Sequence, residues 1–358
     1  MTQPDPHPIG FCASSFWPHV VACLLVGVTA VLLCFGAMVT TYDAAMAVPD
    51  WPATYGHNMF LYPLADWFYG PWDLFLEHGH RLLGAAAGLL TMALVGVAWW
   101  GEQRRLVRGL VAAAFLLVVV QGVLGGARVL LDDRTIAKVH ACTGPLFFAV
   151  TIAIATLTSR WQGNATSQPS DSLALRRLSA LLLVSAYVQL VAGAQLRHLD
   201  AAIDPLTFRM LVVLHVAGAA LVTGLSMAVC ACAWGQQLMP ALSSRCVAAG
   251  EERSSRVSGA TPAIWATVIL LLVLCQIALG AGAWIVSWGI PAGWFGDSLA
   301  VWIPTEPIVA RSVQSAAIVT GHVVVGMLIL GASVVLAIAS GSLEGLEDSF
   351  GQRSEAHA

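Results

Sequence analysis

Glu77, His80 and Arg81 lie within five residues in the stretch EHGHR, at the mouth of an otherwise apolar segment. A carboxylate in such a place can take up a proton or steady a developing cation, and a neutral imidazole is a common ligand for a transition metal. Three more histidines open apolar segments in the same manner: His140, His215 and His322. Four residues beyond each of the four histidines stands a small side chain, at Gly84, Gly144, Ala219 and Gly326. Positions i and i+4 share one helix face, so a small residue there leaves flat space beside an imidazole. Ionisable groups inside membrane spans are costly and point to function. An interhelical hydrogen bond explains any one histidine equally well, but four at one depth, in two pairs, favour ligation of a planar macrocycle.

The elements that must carry these residues follow from composition. The chain has 358 residues, 58% of them hydrophobic and 10% charged, with a mean hydropathy of +0.78, well to the apolar side of soluble domains. Apolar runs of about 20 residues, enough to cross roughly 30 Å of hydrocarbon as helices, occur near 20–40, 79–100, 108–127, 137–158, 174–196, 210–234, 263–287 and 315–339. The expected fold is an all-α integral membrane protein with eight transmembrane helices. The first run has no preceding positive charge and no clean cleavage site, and reads as a retained anchor. A net charge of −3 and a single lysine, Lys138, exclude a nucleic-acid surface. The eight cysteines form neither a disulfide framework nor a CxxCH heme-attachment motif.

The connections after the second, fourth and sixth helices carry Arg104, Arg105 and Arg108, then Arg160, Arg176 and Arg177, then Arg245, Arg253 and Arg256. The connection 41–77 holds Asp43, Asp50, Asp66, Asp73 and Glu77 without one Lys or Arg. By the positive-inside rule both termini are therefore expected in the cytoplasm, with the chain multi-pass in the inner (plasma) membrane. Arg81, Arg128, Arg134, Lys138, Arg197, Arg209 and Arg311 sit at outer helix ends against that preference. They call for a separate reason.

The chain repeats itself. Three odd-numbered helices carry Gln-x-x-x-Gly near their outer ends, at Gln121 and Gly125, Gln189 and Gly193, Gln276 and Gly280, while the first has Gly36 with Leu32 in place of the glutamine. Together with a histidine on every even helix, this predicts two four-helix bundles related as a parallel repeat, over 20–158 and 174–340. A linker at 159–173 joins them, and cytoplasmic segments at 1–19 and 341–358 flank them.

Pairing within each half gives His80 with His140 and His215 with His322, as axial ligands of two hemes. Heme carries propionates, and an arginine fork matches a carboxylate, which makes Arg81, Arg128, Arg197 and Arg209 candidates to hold them. Snorkelling to the interface explains any single one as well. The halves differ at the residue three before each histidine: Glu77 in one case, Ala137, Val212 and Val319 in the others. One site has a carboxylate against its ring, unless Glu77 merely caps the helix N-terminus. His78, two residues from His80, is expected to point elsewhere, toward the interface.

At these residues the chain resembles the heme A synthase family. EHGHR fits its Glu-x-x-His-Arg element, VPDWPATYG at 48–56 fits its outer-loop Pro-Asp-Trp-Pro signature, and the four histidines fall on the even helices. The resemblance implies oxidation of the C8 methyl of heme O to a formyl group, through a hydroxymethyl intermediate, to supply heme A for cytochrome oxidase. It further implies a heme b cofactor at His215 and His322, the substrate heme at His80 and His140, and Glu77 as catalytic acid. Heme O synthase and an electron donor are the partners it suggests, beside membrane lipid. The chain departs from the pattern in two respects. Connection 41–77 contains no cysteine, which removes disulfide-linked chemistry from that loop. The end of the first helix lacks an arginine, so that one propionate contact is missing or supplied by Arg81. The long outer loops are rich in aromatics (Trp51, Trp67, Tyr69 and Trp72; Trp294, Phe295 and Trp302), which serve as lids over the heme edges or as an interfacial belt. The strongest rival is a diheme membrane cytochrome b passing electrons to or from quinone, and a parallel-repeat transporter comes after it.

Overall fold

The computed structural model describes residues 16–159, 173–199, 203–243, 262–288 and 312–342. Eight long helices run through them: α1 (Phe16–Thr41), α2 (Trp72–Gly101), α3 (Arg105–Leu131), α4 (Arg134–Thr158), α5 (Leu173–Arg197), α6 (Pro205–Ser243), α7 (Pro262–Trp288) and α8 (Val313–Ala339). All eight contain a stretch long and apolar enough to cross a membrane. The described residues contain no strand, and the chain is an all-α, multi-pass membrane protein. Linker residues 160–172 with Arg160, together with Arg245, Arg253, Arg256, Arg311 and the aromatics Trp294, Phe295 and Trp302, lie outside the described residues.

Helix α2 starts at Trp72, a full two turns before its apolar run. Polar residues hide those turns from a hydropathy reading, yet Pro71 at the N-cap presets the backbone and Asp73 in the first turn suits the positive end of the helix dipole. In consequence Glu77, His80 and Arg81 stand on one continuous helix at spacings of three and four, and share a face.

Within the first half α1 packs on α2 and α4, and α3 packs on α2 and α4, closing a ring. The second half repeats this, with α5 on α6 and α8, and α7 on α6 and α8. Between the halves α4 meets α8, α1 meets α8, and α4 meets α5. Exchanging each helix for its counterpart four further on turns the α1–α8 contact into α5–α4 and leaves α4–α8 unchanged. That pattern fits a parallel repeat with an axis near α4 and α8.

Each half has its own packed interior, and both lie toward the same end. In the first half it is built from Ala22 and Leu25 of α1, Leu94 of α2, Val107 and Val111 of α3, and Phe147 and Ile154 of α4. In the second half the counterparts are Leu175 and Leu182, Val222 and Val229, Ile269 and Val273, and Leu330 and Leu336. These positions are early in odd helices and late in even ones, at the end away from the 42–71 connection. The opposite end, on the side of the 42–71 connection, carries all four histidines.

Candidate functional site

Each histidine is seated by the odd helix that precedes it. A Cβ added at Gly36, Gly125, Gly193 or Gly280 would stand 2.9, 3.3, 3.2 or 3.0 Å from Cε1 of His80, His140, His215 or His322, respectively. The glycine of each odd helix is therefore the floor on which the next imidazole lies. Nδ1 of His80 donates to the Leu32 carbonyl and Nδ1 of His322 to the Gln276 carbonyl, both at 3.2 Å. A ring that donates from Nδ1 leaves the Nε2 lone pair for a metal. At His215 the Gln189 amide lies 3.2 Å from Nδ1 and donates to the histidine's own carbonyl at 2.8 Å. Nδ1 of His140 is buried without a hydrogen bond among the described residues.

The space at the small residues four beyond the histidines differs from one to the next. Only Gly84 has nothing within 4 Å of where a side chain would begin. At Gly144 and Gly326 that space borders the amides of Gln121 and Gln276, at 3.7 and 3.2 Å. In the α5–α6 pair it is Gly218, not Ala219, that makes room for the glutamine, Gln189. The Gln-x-x-x-Gly pattern thus encodes an amide that ties two helices together, with a glycine that accepts the ring.

The histidines meet in the expected pairs, on helices diagonal across each bundle. Ring centroids of His80 and His140 are 6.4 Å apart with planes at 83°, and those of His215 and His322 are 6.3 Å apart at 67°. Two imidazoles on opposite sides of one metal, at about 2.0 Å per metal–nitrogen bond, set their centroids ~6 Å apart. Both pairs have the separation for a shared ion. No group of three or more His, Cys, Asp or Glu converges among the described residues, so each pair stands as a two-imidazole donor set. The donor set fits a heme held by two imidazoles.

Over the first pair lies a built roof. The Glu77 side chain is 2% exposed; its Oε2 accepts the Val48 amide at 3.0 Å and its Oε1 accepts Arg81 at 2.8 Å. Arg81 also donates to the carbonyls of Val48, Asp50 and Ala53. Both its terminal nitrogens bond the loop, so the guanidinium fastens the roof. Asp50 closes the loop on itself, accepting the amides of Tyr55 at 2.9 Å and Gly56 at 2.8 Å. Desolvation raises the Asp50 pKa, but these two amides and the Arg81 charge outweigh it and hold the carboxyl below its ordinary value. The indole of Trp51 rests where a Cβ on Gly126 of α3 would stand, which carries the loop across the bundle. His78 is not interfacial: it is 1% exposed, accepts or donates at Thr54 Oγ1 (3.0 Å) and packs against Tyr62 and Trp67. Sequence reasoning gave Asp50 and Thr54 no role in the site and placed His78 toward the interface, although the turn residues of PDWPATYG signalled a self-closed loop.

The other arginines are spread along the same end of the bundles as the histidines. Arg128 donates to the Ala45 carbonyl at 3.2 Å and interacts electrostatically with both Glu77 and His80. Arg197 reaches from α5 to the end of α1 in the other half, donating to the Ala37 carbonyl and to Thr41 Oγ1. Arg209 is exposed at the start of α6.

Residues 72–210 match the family of cytochrome oxidase assembly proteins designated COX15-CtaA. The matched stretch holds Glu77, His80, Arg81 and His140 and ends before His215. Over 184 residues the chain is 32% identical to a heme A synthase of Symbiobacterium thermophilum, a match that covers 48% of this chain and 58% of the relative. The chain therefore matches that relative over less than two thirds of its length. The matched segment covers α2 to α5 and the first residues of α6, and lies beyond α1 and the loop 48–56.

Proposed function

We propose that this chain is a heme A synthase, oxidising the C8 methyl of heme O first to a hydroxymethyl and then to a formyl group to supply heme A for cytochrome oxidase. The observation that carries the reading is a pair of diagonal imidazoles at metal-sharing distance with a buried carboxylate clasped three residues from one of them, inside a segment of the matching family. His80 and His140 hold the substrate heme, and His215 and His322 hold a heme b cofactor, which supplies a redox centre for electron transfer. Glu77 is the catalytic acid at the substrate pair, kept out of water by the loop 48–56. Arg128, Arg197 and Arg209 receive propionates, with Arg81 reserved for the roof. Both termini face the cytoplasm, so the roofed ends of the bundles open to the other side of the plasma membrane.

The near-equal ring separations of the two pairs favour a second reading, a diheme electron carrier that performs no chemistry on its heme. Chromatography of hemes extracted from purified protein, with and without co-production of heme O, separates the two. Heme A appearing only with the heme O supply supports the synthase; heme b alone under both conditions leaves the electron carrier.

A further inference from the structure

Between the roof loop and α2 the chain makes a short excursion that the histidine pairs do not use. It consists of a 3-10 turn (Met59–Leu61), a five-residue helix (Leu64–Phe68) and a return through Gly70, and both short elements pack on α2. Its side chains divide into two sets. Tyr62 packs on His78, while Trp67 stacks on Phe75, meets His78 edge-on and donates from Nε1 to the Phe75 carbonyl at 3.2 Å. Phe60, Leu61, Leu64, Phe68 and Tyr69 are exposed, Leu61 at 78% and Leu64 at 67%. Large apolar side chains bared together on one short segment mark a contact with a membrane or with another protein.

The level of this segment along α2 decides between the two. Trp72 opens α2, and Trp99 and Trp100 stand at its other end, all three exposed. At about 1.5 Å per residue these ends are ~40 Å apart, the thickness of a bilayer with both interfacial zones, where tryptophan is enriched. Trp67 lies against residues 75–79, one to two turns inward of Trp72, or ~5–10 Å. The excursion is therefore level with the boundary between headgroups and acyl chains, the depth at which a segment lying in the membrane plane buries its apolar face. Between Thr41 and His80 there is no Lys or Arg, and Asp66 is the single acid from 57 to 72. That leaves no lysine or arginine to seek an anionic headgroup.

We propose that residues 59–69 dip into the bilayer interface at the histidine end of the protein, with lipid acyl chains as the partner of Phe60, Leu61, Leu64 and Phe68. Tyr62 and Trp67 join this anchor to His78, and His78 meets Thr54 of the roof loop at 3.0 Å. The roof over the first histidine pair is thus held by Arg81 on one side and by a lipid-anchored segment on the other. The attachment rests on apolar burial and is indifferent to headgroup charge.

The test uses full-length protein in lipid nanodiscs, with p-benzoylphenylalanine replacing Leu61, Leu64 or, as the reference for hydrocarbon, Leu89 of α2. All three residues are exposed, so the replacement adds nothing to the packed interior. After illumination the intact mass reads what each site touched. The expected result is a gain of one phosphatidylcholine at Leu61 and at Leu64, in yields comparable to Leu89 and unchanged when phosphatidylglycerol is added to the bilayer. A missing lipid adduct at either site, with Leu89 labelled, would place the segment in water and overturn the proposal. A product of twice the chain mass would overturn it too, by making a second copy the occupant, and adducts formed only with phosphatidylglycerol would overturn the apolar basis of the attachment.

Discussion

The two halves of the molecule share a histidine geometry and differ in what surrounds it. His80 and His140 sit as far apart as His215 and His322 do, within 0.1 Å by their centroid separations of 6.4 and 6.3 Å, and each imidazole lies on a glycine of the preceding helix. Around the first pair a carboxylate, an arginine and a loop of irregular backbone are fastened together. Around the second pair the described residues place two glutamine amides instead. Histidine geometry alone does not distinguish the two pairs; the groups packed around them do.

The comparison breaks most sharply at Glu77. Glu77→Gln keeps a hydrogen-bond acceptor for the Val48 amide but removes the charge, and heme A formation is expected to fall by ~10²–10⁴-fold, the range for losing a positioned acid or base, with both hemes still bound. Undiminished product in extracted pigment would make the carboxylate structural and the halves functionally alike. Arg81→Gln comes next, because it breaks a buried ion pair, a change that costs about 3–5 kcal/mol where the partner charge is left behind. Hydrogen exchange at the Val48 amide should quicken by at least about a hundredfold, while amides of α6 and α8 keep their wild-type rates; a protected Val48 would show that the roof does not depend on the clasp.

A smaller contrast pits two glycines against each other. Gly280→Ala puts a Cβ 3.0 Å from His322, an overpacking of about 1–3 kcal/mol, and should lower heme retained by the C-terminal pair. Gly96→Ala enters open space in α2 away from the histidines and should leave heme content unchanged, with a gain of up to ~1 kcal/mol from helix propensity. The smallest effect concerns His198, just beyond α5. Burial, and then the charges of Arg197, Arg128 and Lys138, push its imidazole down to about 4 from an ordinary 6.5. It stays neutral in the folded protein while the unfolded chain takes up a proton below pH 6.5, so its contribution to stability is intact above that value and is lost as pH falls toward about 4. Thermal melts in detergent should decline across that window, and His198→Gln should flatten the decline.

Much of this protein was legible in its residues because the signals are local. Apolar runs fix eight helices by length alone, and the spacings Glu77 to His80 and Gln276 to Gly280 place side chains on common helix faces. The pairing of histidines by halves followed from the repeat. What the residues left open was decided by contacts between segments distant along the chain. The bonds from Arg81 reach back to Val48, Asp50 and Ala53 in a loop without regular structure, whose path no periodicity encodes. The same holds for Gly36, Gly125, Gly193 and Gly280: their spacing from the glutamines is visible in sequence, but that each supports an imidazole of the next helix depends on how deep and at what rotation two helices pack. Local spacing determines what shares a face; only tertiary packing decides what that face meets.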